Sequence, residues 1–403
     1  MASILETTIN TRDLGGYYTD SDVKKEIKTD YYDSFTCSAD KCSFTCCQEW
    51  NIAVDDDTFI KWNRLSLTKQ NNHYLDQYVK QKDGSLVIAM NEQKQCPFLN
   101  EQKLCNLVLN FGDEVLSETC ATFPRQIHEF ADRKEYSLVS CCPEVVDLLN
   151  QQEKICFTKK MFDMDEDILL RIRTMMITII QNQHFSISKS VMMIFYILLD
   201  IHQKESVLKK EIDEYKDEAV LKELSDTIDN MQFLSLDTFE ENNELFLDMA
   251  ENYRKQELYT NYLEPIAVIA ENLSRDYDKS KMIVQLQKFE KQFSSYEKLF
   301  RNYLVVEIFS NSLMPESDLE SIVVMIQWIA MEYAIMRHSI FLSWLLDEQK
   351  KLSYTVVRNY IVVISRMMGY DQEDIYEYLE ENFENLIWKW GYLALIIGAE
   401  YGE

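Results

Sequence analysis

Four thiols fall within eleven residues in Cys37-Ser-Ala-Asp-Lys-Cys42-Ser-Phe-Thr-Cys46-Cys47. Thiolates are soft ligands that select zinc, copper(I) or iron–sulfur clusters, so this density points to metal chemistry. Asp40 and Lys41 read as turn residues that fold the first two sulfurs toward each other. Cys46 and Cys47 are adjacent, which makes it awkward for both to bind one ion. A second group follows: Cys96-Pro97-Phe98-Leu99, Leu104-Cys105, Cys120-x2-Phe123-Pro124-Arg125 and Cys142-Pro143-Glu144. Proline directly after cysteine forces an extended or turned backbone, as where a loop wraps a cluster. No Cys-x2-Cys pair of the usual zinc type occurs, which favours iron–sulfur over zinc. Buried free thiols are the competing reading.

Other chemistries lack their residues. Cys42-x3-Cys46 opens the three-cysteine signature of radical S-adenosylmethionine enzymes, but Glu49 stands where the third cysteine belongs. Thr11 to Tyr17 is similar to a segment of some tyrosine phosphatases, yet Cys120-x4-Arg125 is one residue short of their nucleophile loop. No G-x-G-x-x-G is present, so a dinucleotide fold is not supported. The five histidines are scattered, and only His128 lies near a cysteine group.

The elements that must hold these residues are helical. The chain has 403 residues but only 8 Gly and 5 Pro, where average usage would give about 28 and 20. Few turn residues mean few hairpins, which excludes a sandwich or barrel. The stripe Met282, Leu286, Phe289, Phe293, Phe300 and Leu304 predicts one long amphipathic helix. Ile322 to Leu346 is apolar on most faces, as a central bundle helix should be. Helices are also expected over Ser188 to Asp200, over Val207 to Met231, and around Trp388, Trp390 and Tyr392. Pro265 and Pro315 read as first-turn residues, and Asp237 to Asn243 reads as a linker. No internal repeat is evident. All ten cysteines precede residue 157. The expected organisation is therefore a Cys-rich metal- or cluster-binding module over residues 1–157 and an α-helical bundle domain over 158–403, mainly α-helical throughout.

Asp+Glu 68 against Lys+Arg 41 gives a net charge of −27. Nucleic acid and anionic membrane are disfavoured as partners, and a cationic partner is compatible. The run Asp55, Asp56, Asp57 could draw lysines toward the cysteine block, although such a run is usually a helix start or a solvated face. The opening MASILETTIN lacks a basic and apolar leader, and no 18-residue apolar run occurs. A cytoplasmic protein with no integral membrane segment is expected.

The order of these motifs, Cys37-x4-Cys42-x3-Cys46-Cys47-x2-Trp50 and onward to Cys142-Pro143-Glu144, resembles the bacterial flagellin lysine N-methylase family. The likeness covers residues 31 to 150, and its N-terminal part is similar to a broader group of Cys-rich iron- or zinc-chelating proteins. Arg301-Asn302-Tyr303 resembles a further family landmark. The resemblance implies a methyltransferase acting on flagellin lysines, with S-adenosylmethionine and an iron–sulfur cluster, 4Fe-4S in type, zinc being the alternative. The implied metal ligands are Cys37, Cys42, Cys46, Cys47, Cys96, Cys105, Cys120 and Cys142. Cys141 and Cys156 fall outside the pattern. A lysine with pKa about 10.4 must lose a proton before it can attack a methyl donor. Glu49, Asp55, Asp56, Asp57, Tyr136 and Glu144 are the candidate groups near the cysteines. The alternative is a non-catalytic metal-binding interaction protein, or a redox or metal carrier, built on the same thiols.

Overall fold

The computed structural model describes residues 24–65, 74–82, 84–158, 167–204, 207–231, 233–369, 371–383, 386 and 388–398. Thr11 to Tyr17 and His73 lie outside the described residues. The fold is mainly helical, as the shortage of glycine and proline predicts.

Helix Leu319–Leu346 forms the centre of the bundle, and almost every side chain from Ile322 to Leu342 is buried. Its letters are apolar all round because neighbours cover it on every side. They are helices Ile187–His202, Ser235–Lys255, Thr260–Arg275, Lys279–Phe293, Glu297–Asn311, Tyr354–Met368 and Trp390–Ile397. By length and composition this helix alone among the described residues could cross a membrane, and 83% of its apolar window is buried inside the fold. The last helix packs as expected, with Trp390 Nε1 donating to Met192 O and Trp388 stacked on His202.

Among the described residues, five short strands lie in the first part of the chain. They are β1 (Lys25–Lys28), β2 (Val79–Lys82), β3 (Ser85–Ile88), β4 (Arg125–Glu129) and β5 (Arg133–Leu138). β5 pairs parallel with β1 and antiparallel with β4, while β2 and β3 form a separate hairpin. Gly84, at φ 80°, supplies the left-handed residue of that hairpin turn.

Two hydrophobic cores result. The larger takes Ile27, Phe44, Leu138 and Val145 together with the bundle helices. The smaller gathers Ile52, Trp62, Ile88, Phe98 and Leu107, and Cys96 is among its buried members. Glu135 pins the three-stranded sheet to the bundle. Its carboxylate accepts from Arg133 and Arg173, and Arg173 also donates to Phe309 O. Burial opposes charge on Glu135, but the two arginines outweigh it and hold its pKa low.

Four local expectations change. The stripe from Met282 to Leu304 is two helices, Lys279–Phe293 and Glu297–Asn311, joined by a 3-10 turn at Ser294–Tyr296. Ser294 and Ser295 bond back to Lys291 O and Gln292 O, competing with the helical ladder. Val207 to Met231 is likewise broken into Lys209–Glu214 and Glu218–Asp229, because Asp217 caps the second helix. Asp237 to Asn243 is no linker but part of Ser235–Lys255. Two of its polar residues are buried and donate inward: Asn242 to Ile396 O, and Asn243 to Ala270 O and Ser274 Oγ. Pro265 lies inside Thr260–Arg275, past its first turn, and Pro315 sits in the turn before Leu319.

Candidate metal centre and adjoining cleft

The first cysteine loop opens with the expected turn. Ala39–Lys41 is a 3-10 turn, and Cys37 Sγ accepts from Ala39 N. Two backbone devices then draw later cysteines to this loop. An antiparallel bridge joins Gln48 to Gln95, and Cys96 N donates to Cys47 O at 2.8 Å. A second bridge joins Leu99 to Cys105.

Both devices use the same turn, written twice: Asn91-Glu-Gln-Lys-Gln-Cys96 and Asn100-Glu-Gln-Lys-Leu-Cys105. In each, the asparagine Oδ1 accepts from the backbone N four residues on. In each, the lysine, Lys94 or Lys103, sits at φ 58°. The side-chain bond offers the backbone a ready-made turn. Each turn delivers one cysteine, so the chain does contain a short internal repeat.

The eight cysteines separate into groups. Cys47, Cys96, Cys105 and Cys120 all belong to the smaller core, and their charges act on one another. Burial raises the thiol pKa of Cys96 and Cys105, and that of Cys120 to about 11. Without a bound cation these thiols stay protonated. Cys46 and Cys47 share a hydrogen bond that raises Cys46 and lowers Cys47, so Cys47 is the member that ionises first. Cys142 lies apart in the larger core, where Cys42 acts on it, and Cys37 is exposed. Of the two outside the pattern, Cys141 is buried and Cys156 exposed. Among the described residues no three His, Cys, Asp or Glu side chains are placed to hold a single metal ion. The expected metal-binding module is therefore not shown among the described residues.

Arg366, from helix Tyr354–Met368, reaches across to this loop. Its guanidinium donates to Cys141 O, Thr45 O and Phe44 O at 3.0, 3.1 and 3.2 Å. It also lies over the rings of Phe44 and Trp50. Trp50 Nε1 in turn donates to Cys46 O at 2.6 Å. The bundle thus holds the cysteine loop through Arg366 and, from the same helix, through Arg358, which donates to Ser43 Oγ at 3.0 Å.

Beside Trp50 and Arg366 opens a cleft of about 580 Å³, between the cysteine-bearing part and the end of helix Ser235–Lys255. Glu49 lies in its wall, with Oε1 accepting from Tyr259 N at 3.0 Å and Oε2 from Gln48 Nε2 at 3.2 Å. Tyr253 hydroxyl donates to Met367 O on the far side.

The family model for the FliB lysine N-methylase C-terminal domain matches residues 173–396. The chain belongs to the FliB lysine N-methylase family. It is 30% identical over 141 residues to the flagellar biosynthetic protein FliU of Salmonella muenchen, covering 31% of this chain and 78% of FliU. It is 29% identical over 140 residues to the lysine-N-methylases of Salmonella typhimurium and Salmonella choleraesuis. Those matches cover 31% of this chain and 33% of each relative. No solved structure matches the chain.

Within this FliB-family chain, the Arg301-Asn302-Tyr303 landmark is buried and structural. Arg301 donates to Ile180 O, Asn182 O and Phe185 O, and Asn302 to Leu149 O and Gln152 O. The six candidate bases disperse. Asp55 caps helix Asp56–Trp62 by accepting from Thr58 N and Thr58 Oγ1, and it also accepts from Glu118 N. The Asp run is therefore a helix start. Asp55 and Asp56 line a different hollow, of about 690 Å³. Tyr136 bonds to Glu26 on the sheet, and Glu144 lies in the first turn of Pro143–Gln151. Only Glu49 lines the cleft beside Arg366. His128 lies on β4, and burial lowers its pKa.

Sequence reasoning singled out the Ser365-Arg366 pair, with Met367-Met368-Gly369 after it where an acidic or histidine partner was expected, but it missed the contacts that Arg366 makes, and it missed Tyr259 and the lysines of the cleft. One signal was available for Arg366: it is the lone charge in Tyr360-Ile-Val-Val-Ile-Ser-Arg-Met-Met368, where an arginine must find buried partners.

Proposed function

We propose that this protein is a lysine N-methyltransferase acting on flagellin, with S-adenosylmethionine as methyl donor and an iron–sulfur cluster at the cysteines. The observation that carries the reading is the match of residues 173–396 to the lysine N-methylase family. The cysteine geometry supports the cluster. Cys47, Cys96, Cys105 and Cys120 would hold it: they are thiol-only donors around one apolar core. Bound there, the cluster would supply a redox or Lewis-acid centre.

The chain's own residues account for the remaining chemistry. Glu49 is the carboxylate placed to take the proton from a substrate ammonium entering the cleft. The resulting neutral amine can form the new N–C bond as the C–S bond of the donor breaks, leaving S-adenosylhomocysteine and a proton on Glu49. Tyr259 N orients the carboxylate, and Arg366 fixes Trp50 as the wall between cleft and cysteines.

The test is anaerobic purification with iron and acid-labile sulfide analysis, then incubation with methyl-labelled S-adenosylmethionine and flagellin. Label on flagellin lysines is the expected result. Colourless, zinc-loaded protein would reject the cluster, and absence of label with iron-loaded protein would reject the activity.

A further inference from the structure

In the cleft beside Glu49 a carboxylate and a cation stand side by side without pairing. Glu49 N donates to Lys94 O at 2.8 Å, so the two backbones are tied together. Both take a left-handed φ, 63° and 58°, that non-glycine residues rarely adopt. Both line the cleft. The Glu49 carboxylate accepts from Tyr259 N and Gln48 Nε2, and Lys94 is in no ion pair among the described residues.

Two more lysines stand in the same wall. Lys80 and Lys82 lie two apart on one face of β2, which sets them about 7 Å apart along the strand. Lys82 Nζ rests on Asn51 Oδ1, a neutral acceptor, and neither lysine is in an ion pair among the described residues. Arg366 adds positive charge, but its N–H groups are occupied by three backbone carbonyls. In a chain of net charge −27 this wall is a local reversal of sign, and such a reversal attracts anions. One carboxylate bordered by lysines is the complement of one ammonium bordered by carboxylates.

We infer that the cleft selects a substrate lysine set among acidic residues. The target ammonium meets Glu49, and carboxylates flanking it in the substrate chain meet Lys80, Lys82 and Lys94. The inference rests on the lysine methyltransferase reading above and adds the class of lysine that is accepted. An extended segment repeats its side chains on one face every 7 Å or so, so acidic residues two before and two after the target match the spacing on β2. A lysine without acidic neighbours meets the same cations as repulsion, which gives discrimination as well as attraction.

The experiment uses the full chain and three nine-residue peptides with one central lysine and a neutral fluorophore. Aspartate, serine or arginine fills the positions two before and two after the lysine. Fluorescence anisotropy at low salt reads the affinities. Wild type should bind the aspartate peptide roughly tenfold more tightly than the serine peptide, the scale of two exposed ion pairs, and added salt should close the gap. In Lys80→Glu/Lys82→Glu the order should invert, with arginine above serine and serine above aspartate. Unfolding cannot produce an inverted order. If that variant binds nothing, Lys80→Gln/Lys82→Gln decides, and there the aspartate and serine peptides should become equal. Lys209→Gln/Lys210→Gln, outside the cleft, should keep the wild-type order. Equal wild-type affinity for the aspartate and serine peptides would overturn the inference. So would an order that the lysine substitutions leave unchanged; the lysines would then only guard an edge of the two-stranded sheet. Methyl transfer to flagellin is scored separately on wild type. Transfer with no preference among the peptides rejects the flanking rule alone. Preference with no transfer to any substrate rejects the methyltransferase reading, while the selection of acidic segments stands.

Discussion

The Arg366 guanidinium lies 5.0 Å from the ring centroid of Trp50. Through that contact a residue of the C-terminal bundle holds the wall between the cysteine loop and the cleft. Stacking uses the flat face of the guanidinium, while its edge donates to Cys141 O, Thr45 O and Phe44 O. Only arginine can do both at once.

Arg366→Ala should lower stability by about 3 kcal/mol, since it leaves buried carbonyls without donors. Arg366→Lys should not restore it, because one ammonium cannot serve three carbonyls and two rings. Chemical denaturation of the purified variants reads this directly. A change within about 0.5 kcal/mol, typical of a surface site, would show that the loop is held by other contacts.

The cysteine grouping predicts an unequal response to serine substitution. Cys96→Ser and Cys120→Ser should lose iron, and Cys156→Ser should keep it. Cys37→Ser, exposed and outside the smaller core, should also keep it. Iron and sulfide per chain after anaerobic purification is the measurement. Equal loss in Cys37→Ser would mean that the centre draws on the first turn as well.

Glu49→Gln retains an acceptor for Tyr259 N but cannot take a proton. Turnover should fall about a hundredfold, the usual worth of a general base. Binding of S-adenosylhomocysteine should be unaltered. The deficit should shrink as pH rises toward the lysine pKa of about 10.4, where the amine loses its proton to water. A pH-rate profile parallel to wild type would exclude Glu49 as the base.

His338 supplies a pH prediction for the fold itself. It is buried in the central helix, with Nε2 3.0 Å from Asn243 Oδ1. Asn243 donates its amide to Ala270 O and Ser274 Oγ, so its oxygen is the acceptor and His338 is assigned as the Nε2–H tautomer. Burial first, and then the Arg337 charge, lower its pKa from 6.5 to about 3. Between those values the unfolded chain binds a proton that the folded chain does not. Stability from this residue is therefore complete above the unfolded pKa and falls as pH drops, by about 1.4 kcal/mol per unit. From pH 6.5 to 4.5 wild type should lose roughly 2 kcal/mol more than His338→Gln. Parallel stability curves for the two proteins would reject this linkage.

By itself the sequence determined the helical class and the position of the central helix. Both follow from local composition: few glycines and prolines leave little hairpin chemistry, and a stretch apolar on every face can only be covered on every face. It also determined that the thiols belong to the first 157 residues. It misplaced breaks where one or two polar residues decide, at Ser294–Ser295 and at Asp217, because a side-chain bond to the backbone outweighs periodicity there. The tertiary structure alone decided which cysteines meet. Cys47 reaches Cys96 through the Gln48–Gln95 bridge, and no local pattern encodes a pairing between segments so far apart. It also decided that Arg366, Glu49, Lys94 and Tyr259 share one cleft. Their proximity depends on how the bundle seats the cysteine loop, and on left-handed backbone positions that side-chain type does not announce.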